Sequence, residues 1–187
     1  KYTDSIPLLE NIILLNTGMA NDSAVGETYN LLGNCWRQIG QYDSALGDYK
    51  KAVQYSRLTG NQKIERKQKL ALARFHSLMN ENSSALATAN DVAATARVFS
   101  DSSDLYSGLS LVAEACHKLG KYDQEFRVLV EMTLIDSIIF KSNKKVELMI
   151  RQIESFEAAG QHDRSCEMFE RTISYGEAIG NDAELVE

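Results

Sequence analysis

A repeat of forty residues runs through this chain of 187 residues and constrains its fold more than any other feature. The strings QIGQYDSA, LMNENSSA, KLGKYDQE and AAGQHDRS follow one another at this spacing. They place a turn-forming residue at the same point of each unit, namely Gly40, Asn80, Gly120 and Gly160. A step held across the chain indicates stacked copies of one structural unit, each of which contacts mainly its neighbours.

Each unit is predicted to contain a leading and a trailing helix. Glycine and asparagine tolerate positive φ, so the four turn residues are expected to end the leading helices. The trailing helices run about sixteen residues and are predicted to stop at TGN, FSD, KSN or IGN. The single proline, Pro7, is consistent with long helices and short connections. Four residues are predicted to cap the trailing helices: Asp43, Ser83, Asp123 and Asp163.

The same frame divides the chain into units. Tyr2 aligns with Tyr42 and Ile12 with Ala52, so the chain is predicted to begin with a trailing helix. The predicted fold is all-α, a single solenoid of about four and a half helix pairs. Its predicted parts are residues 1–21 (the trailing helix of a truncated unit), the full units 22–61, 62–101, 102–141 and 142–181, and the start of a further segment at 182–187.

Small residues recur where two helices must approach closely. Glu125 and Ile153 break this pattern in the later units, where looser packing or a compensating shift is expected. The small residues are Gly33, Ala73 and Ala113 on leading helices, and Ala45 and Ala85 on trailing helices.

The first full unit resembles the tetratricopeptide repeat (TPR) family, in the longer form seen in bacterial regulators and kinesin light chains. The resemblance implies a right-handed α-α superhelix whose leading helices line a concave groove. The family's closing proline is absent, and the second and fourth units are degenerate. The matching residues are Tyr29, Leu32, Gly33, Trp36, Gly40, Tyr42, Ala45, Tyr49 and Ala52.

The resemblance also implies which side chains face the groove. Asparagine amides can pair with an extended peptide backbone, and arginines can hold carboxylates. A noncatalytic scaffold that binds a protein or peptide segment is therefore predicted, although ordinary solvated groove residues remain the alternative at each position. The family's carboxylate clamp is not supported, because only Asn34 matches it. The predicted groove residues are Asn30, Asn34, Arg37, Lys67, Arg74, Glu114, His117, Arg151 and Glu154.

Two other functions remain open at this stage. One is a sensory or autoinhibitory module of a larger bacterial signalling protein, such as a sensor kinase or a transcriptional regulator. The other is a cysteine-dependent hydrolase, because Cys35 precedes Trp36 in a Gly-x-Cys-Trp string and His162 lies downstream. The repeat places Phe75 and Ala115 at the position that corresponds to Cys35, so Cys35 is predicted to be a packing residue. The protein is therefore predicted not to be an enzyme.

Charge and composition bear on partners and cofactors. The net charge of −6 disfavours nucleic acid, and the basic run at residues 63–69 (KIERKQK) is predicted to be a solvated helix face. His76, His117 and His162 fall in different units, so no metal site is predicted, and no cofactor motif is present. No apolar run reaches membrane-spanning length, so no membrane contact is predicted. The compartment, cytoplasmic or periplasmic, and end-to-end self-association stay open.

Overall fold

The computed structural model of the protein describes residues 2–137 and 144–184, and the regular elements of these residues are helices. Helices that follow one another along the chain pack together, and the leading helices α2, α4 and α6 also contact each other in turn. This is the predicted all-α solenoid. The helices are α1 (Tyr2–Gly18), α2 (Asp22–Gln38), α3 (Tyr42–Leu58), α4 (Gln62–Leu78), α5 (Asn82–Val98), α6 (Ser102–Lys118), α7 (Tyr122–Ile135), α8 (Lys145–Ala158) and α9 (His162–Glu184).

The turns that follow the leading helices have the predicted conformation. Gly40, Asn80, Gly120 and Gly160 adopt φ values of 81°, 59°, 68° and 69°. In each of these turns the following amide closes a hydrogen bond back onto the helix, as Gln41 N does to Trp36 O at 2.9 Å. The forty-residue spacing therefore marks the places where the backbone must enter the left-handed region.

The predicted caps of the trailing helices are wrong. Asp43, Ser83 and Asp123 are the second residues of α3, α5 and α7, and the cap residues of these helices accept no side-chain hydrogen bond. Asp163 is likewise the second residue of α9. A capping side chain must come from a residue with non-helical dihedral angles just before the helix. Inside the first turn, an aspartate interacts favourably only with the helix dipole.

Side-chain caps instead begin the leading helices α2, α4 and α6, but not α8. Asn21 accepts from Ala24 N at 3.2 Å, Asn61 from Lys63 N at 3.0 Å, and Asp101 from Asp104 N at 3.1 Å. Asn21, Asn61 and Asp101 are themselves spaced by forty residues. The sequence signal for these caps was therefore present in the repeat.

Close contact at the crossing of α2 and α3 is confirmed. A Cβ atom on Gly33 would lie 3.2 Å from two ring atoms of Tyr49 and 3.3 Å from the Ala45 carbonyl oxygen. Ala45 and Ala73 are fully buried. The small side chains thus permit the helices of the first two units to touch through their backbones.

The basic run is only partly a solvated face, because Lys63 and Lys67 are exposed but the residues beside them are not. Glu65, Arg66, Gln68 and Lys69 are all buried, with Arg66 only 3% exposed. The helix that carries them, α4, packs between α3 and α5 and also contacts α2 and α6. Long side chains on such a helix bury their aliphatic stems and need internal partners for their charges.

Those partners connect successive units. The Arg66 guanidinium donates to Asp101 Oδ2 at 2.8 Å and to Asp104 Oδ2 at 2.9 Å, at the start of α6. Lys69 Nζ lies 2.6 Å from Glu65 Oε1 and 2.5 Å from Asp91 Oδ2 on α5. Ion pairs therefore join α4 to both helices that follow it.

These ion pairs predict a loss of stability at acid pH. Burial tends to raise the pKa of Glu65, but hydrogen bonds from Lys69 and Arg57 outweigh it and the pKa is lowered. The Asp104 amide lowers the pKa of Asp101, burial opposes this, and Arg66 adds to the lowering. A lowered folded-state pKa stabilises the fold above the unfolded value and loses this contribution as pH falls.

We therefore expect the free energy of unfolding, measured by urea denaturation, to fall as pH drops below the ordinary values of 4.5 for Glu65 and 3.8 for Asp101. Glu65→Gln should make this decline shallower, whereas the exposed control Glu170→Gln should leave it unchanged. Equal slopes in the wild type and in Glu65→Gln would contradict the assignment.

In the C-terminal half, the last helix does not end where the repeat predicts. Helix α9 continues through Gly180 and Asn181, where a stop was predicted. Glycine also adopts helical dihedral angles, so it permits a helix end without enforcing one. The predicted stop at residues 141–143 and the positions 185–187 of the predicted further segment lie outside the described residues.

Two features of the helices concern self-association and membrane contact, namely the exposed apolar side chains at α1 and the hydropathy of each helix. Leu8 and Leu15 on α1 are 62% and 68% exposed, Met19 just after this helix is 76% exposed, and end-to-end association stays a prediction. None of the helices described is both long and apolar enough to span a bilayer.

Candidate functional site

The leading helices form a groove, defined here as the surface shared by α2, α4 and α6. Two cavities lie along it. The first cavity, of about 410 Å³, lies between α2 and α4, and the second, of about 350 Å³, lies between α4 and α6. Arg74 and Leu78 line both, so the cavities adjoin one another.

The structure brings most of the predicted groove residues together. Glu114 lines the second cavity, and His117, Arg151 and Glu154 lie beyond both cavities, on α6 and α8. The first cavity is lined by five of the predicted residues: Asn30, Asn34, Arg37, Lys67 and Arg74.

The first cavity concentrates positive charge. Arg37, Lys67 and Arg74 line it, and its lining contains no acidic residue. Lys67 Nζ forms an exposed ion pair with Glu27 Oε1 at 3.0 Å. Arg37 and Arg74 make no ion pair with a carboxylate in the part of the chain that the structure describes. Neither guanidinium group therefore has a carboxylate partner among the described residues, in a chain whose net charge is −6.

The asparagine amides of the first cavity are engaged within the protein. Asn34 Nδ2 donates to the backbone oxygen and to Oδ1 of Asn30, both at 3.0 Å. The Tyr49 hydroxyl donates to Asn34 Oδ1 at 2.8 Å, and Asn30 Nδ2 donates to Gln68 Oε1. Asn34 thus holds its neighbours in place, and its oxygen already accepts a hydrogen bond.

Aromatic and aliphatic side chains missed by the sequence reasoning form the remaining wall. The rings of Tyr49 and Phe75 lie 5.1 Å apart, and Leu78 is 55% exposed. Burial raises the pKa of the Tyr49 hydroxyl, and the charge of Arg37 and a hydrogen bond with it partly oppose this rise. Leu78 lies one helical turn after Arg74, a spacing that identifies it as a groove neighbour.

The second cavity is lined by Arg74 and by a pair of opposite charges, Glu114 and Lys118. Glu114 Oε1 accepts from Ser77 Oγ at 2.6 Å and from Lys118 Nζ at 2.8 Å. Burial tends to raise the pKa of Glu114, but these two hydrogen bonds and the charges of Lys118 and Arg151 lower it overall. A ligand charge placed here would have to compete with these internal partners.

Glu125 occupies a slot in which the first two units have alanine. It is only 2% exposed, and its Oε2 lies 3.1 Å from His117 Nδ1. Its Oε1 lies 4.0 Å from a guanidinium nitrogen of Arg151. His117 and Arg151 therefore both lie beside a buried carboxylate.

The cysteine and histidine of the hydrolase alternative lie on different helices. Cys35 is buried in α2, in a cluster with Ile6, Ile13 and Leu32. His162 is exposed at the start of α9, with Nδ1 2.9 Å from Glu157 Oε2. The packing assignment of Cys35 is confirmed by its burial in this cluster.

No known family profile and no curated protein matches the sequence, but solved structures do. A putative kinesin light chain of Podosopora anserina with nearly identical TPR-like repeats has a TM-score of 0.73 at 14% identity, covering 92% of this chain and 86% of its own. BtubC (BKLC) from P. vanneervenii has a TM-score of 0.77 at 13% identity, covering 96% of this chain and 74% of its own.

A Rap protein complexed with competence and sporulation factor has a TM-score of 0.60 at 12% identity, covering 92% of this chain and 54% of its own. The TM-scores show a shared fold, and at these low identities the likeness extends to the fold alone. The chain has the fold of TPR-like solenoids, as its repeat predicted.

Proposed function

We propose that this chain is a noncatalytic scaffold that binds an acidic segment of a partner protein in its groove. The observation that carries the proposal is the pair of guanidinium groups in the first cavity, Arg37 and Arg74, which have no carboxylate partner among the described residues. Guanidinium groups bind carboxylates through two parallel hydrogen bonds, so this cavity offers both attraction and orientation.

The apolar wall further defines the segment. Leu78 and Phe75 lie beside Arg74 in the same cavity. A partner segment with an aspartate or glutamate next to an aliphatic or aromatic residue would satisfy both kinds of contact. Because the chain is acidic overall, the cationic cavity would also orient an approaching acidic segment.

The fold supports a binding role over a catalytic one. Solenoids present extended concave surfaces and use them for recognition. A Rap protein of the same fold was solved in complex with competence and sporulation factor, so this architecture does carry a recognition surface in at least one protein.

The proposal is tested with the double variant Arg37→Ala, Arg74→Ala. Peptides selected from a random display library on the wild-type protein should be enriched in acidic residues. We expect the double variant to bind them about tenfold more weakly or worse, and wild-type binding to weaken as salt rises. Binding is measured by fluorescence anisotropy.

The matched control removes two exposed cations from trailing helices, Lys50 on α3 and Arg127 on α7. This control should bind the peptides as tightly as the wild type does. Both double variants should have melting temperatures close to that of the wild type. Unchanged binding by the Arg37→Ala, Arg74→Ala protein would refute the groove assignment. Asn34→Ala is a poor probe, because it would leave the Tyr49 hydroxyl without its acceptor.

A further inference from the structure

A separate cavity of about 580 Å³ lies between α1, α2 and α3. It shares no lining residue with either groove cavity. On α2 it is lined by Tyr29, Leu32 and Trp36, which lie about 140° around the helix from the groove positions Asn30 and Asn34. It therefore opens on a different face of the solenoid.

Gly47 keeps this cavity open. It lies in the middle of α3, where glycine weakens a helix relative to alanine. A Cβ atom there would meet nothing within 4 Å, unlike at Gly26 and Gly33, where neighbours lie at 3.2 Å. Neither packing nor a positive φ requires glycine at this position. A residue that weakens its own helix and faces a cavity is expected at a functional site.

The floor and one rim of the cavity are apolar. Ile13 and Leu32 are buried, and the Trp36 ring lies beside them. Leu14 on α1 lines the mouth and is 71% exposed. A large apolar side chain entering over Gly47 would cover these groups together.

The charges of the cavity leave one carboxylate without an ion pair. Asp48, only 6% exposed, binds Lys51 Nζ at 3.1 Å, and this ammonium lies 5.0 Å from the centre of the Tyr29 ring. Glu10 at the rim forms no ion pair with any residue that the structure describes. A basic group on a partner would complement Glu10.

The repeat shows that this arrangement differs from that of the next unit. Forty residues on, Lys69 takes the position of Tyr29 and Asp91 that of Lys51, and the two form an ion pair at 2.5 Å. The first unit has a tyrosine ring and an ammonium there instead. Its combination of ring, glycine and rim carboxylate is therefore a property of this unit.

We infer that this cavity is a second docking site, which takes an amphipathic helix of a partner protein. The helix inserts one large apolar side chain over Gly47 against Trp36 and sets a basic residue against Glu10. Ser44 and Gly47 lie one turn apart on α3, so their small side chains allow a second helix to approach closely. The site is independent of the groove.

Trp36 provides the readout, because it is the only tryptophan in the chain. The probe is a short alanine-based helical peptide with one leucine and, one turn later, one arginine. Titration into the wild-type protein should change the Trp36 emission in a saturable way. Peptides in which the leucine is replaced by alanine, or the arginine by glutamine, should bind about tenfold more weakly.

Two variants test the site itself. Gly47→Leu fills the cavity, should fold at least as stably as the wild type, and should abolish the emission change. Glu10→Gln should weaken binding about threefold to tenfold and remove its dependence on salt, whereas the exposed control Glu170→Gln should not.

The inference is overturned if the wild type gives no saturable change, if the alanine peptide binds equally well, or if Gly47→Leu binds normally. The Arg37→Ala, Arg74→Ala protein should keep full binding of the probe. Loss of binding in that protein would assign the signal to the groove and would also contradict a separate site.

Discussion

Replacing Gly33 with leucine is expected to lower the free energy of unfolding by about 3 kcal/mol, because it overpacks a helix crossing. A Cβ atom at this position already falls 3.3 Å from the Ala45 carbonyl oxygen and 3.2 Å from the Tyr49 ring. Ala45 is fully buried and Tyr49 is 3% exposed, so neither can move aside without displacing α3. Urea denaturation followed by circular dichroism measures the change.

Gly47→Leu is the matched control for this prediction. It makes the same substitution one helix later, where a Cβ atom meets nothing within 4 Å. Leucine is also the better helix former, so this control should be neutral or stabilising by about 0.5 kcal/mol. If both variants unfolded at the same urea concentration, the close contact of α2 and α3 would not explain Gly33.

Replacing Arg66 with methionine is expected to destabilise the fold by about 3 kcal/mol. Methionine fills much of the volume of the arginine stem but leaves Asp101 and Asp104 without their buried partner. Both carboxylates are about one fifth exposed, and the hydration this permits places the effect at the lower end for a broken buried pair. The free energy of unfolding is again measured with urea.

Lys67→Met serves as its control on the neighbouring position. The Lys67 side chain is 67% exposed, and its ion pair with Glu27 is exposed too, so its removal should change stability by less than about 1 kcal/mol. A loss of similar size in both variants would show that the Arg66 ion pairs contribute no more than a surface pair.

Much of the fold could be predicted from local and periodic signals. Gly40 and its counterparts mark positive φ, a backbone requirement that glycine and asparagine meet at low cost wherever they occur. Gly33 marks a helix crossing because only a small side chain fits where two backbones approach. Each of these features depends on residues within one unit, and the same residue types recur in the next unit.

The sequence-based predictions are wrong where the role of a residue depends on the helices around it. Asp43 and Asn61 are both frequent cap types, but only Asn61 lies just outside its helix. The basic run was expected in solvent because lysine and arginine usually are exposed, yet α4 has neighbours on several sides. Sequence spacing shows which face a residue occupies but not whether another helix covers that face.

The features of the candidate sites also fall into those that could be predicted from the sequence and those that could not. The expected placement of Arg37 and Arg74 on the groove side follows from the resemblance to the TPR family, whereas the engagement of Asn34 by Tyr49 does not. The space over Gly47 could not be inferred either, since a glycine in a helix can indicate close packing or an opening.

The helical units, their turns and the crossing points of their helices could all be predicted from the amino-acid sequence. These features depend on interactions within a unit and recur every forty residues. Which charges are paired could be seen only in the folded protein. Arg66 pairs with Asp101 of the next unit, whereas Arg37 and Arg74 pair with no carboxylate among the described residues. Charge pairing between units depends on how successive helices are rotated and stacked, and that geometry is set by the packing of the whole array.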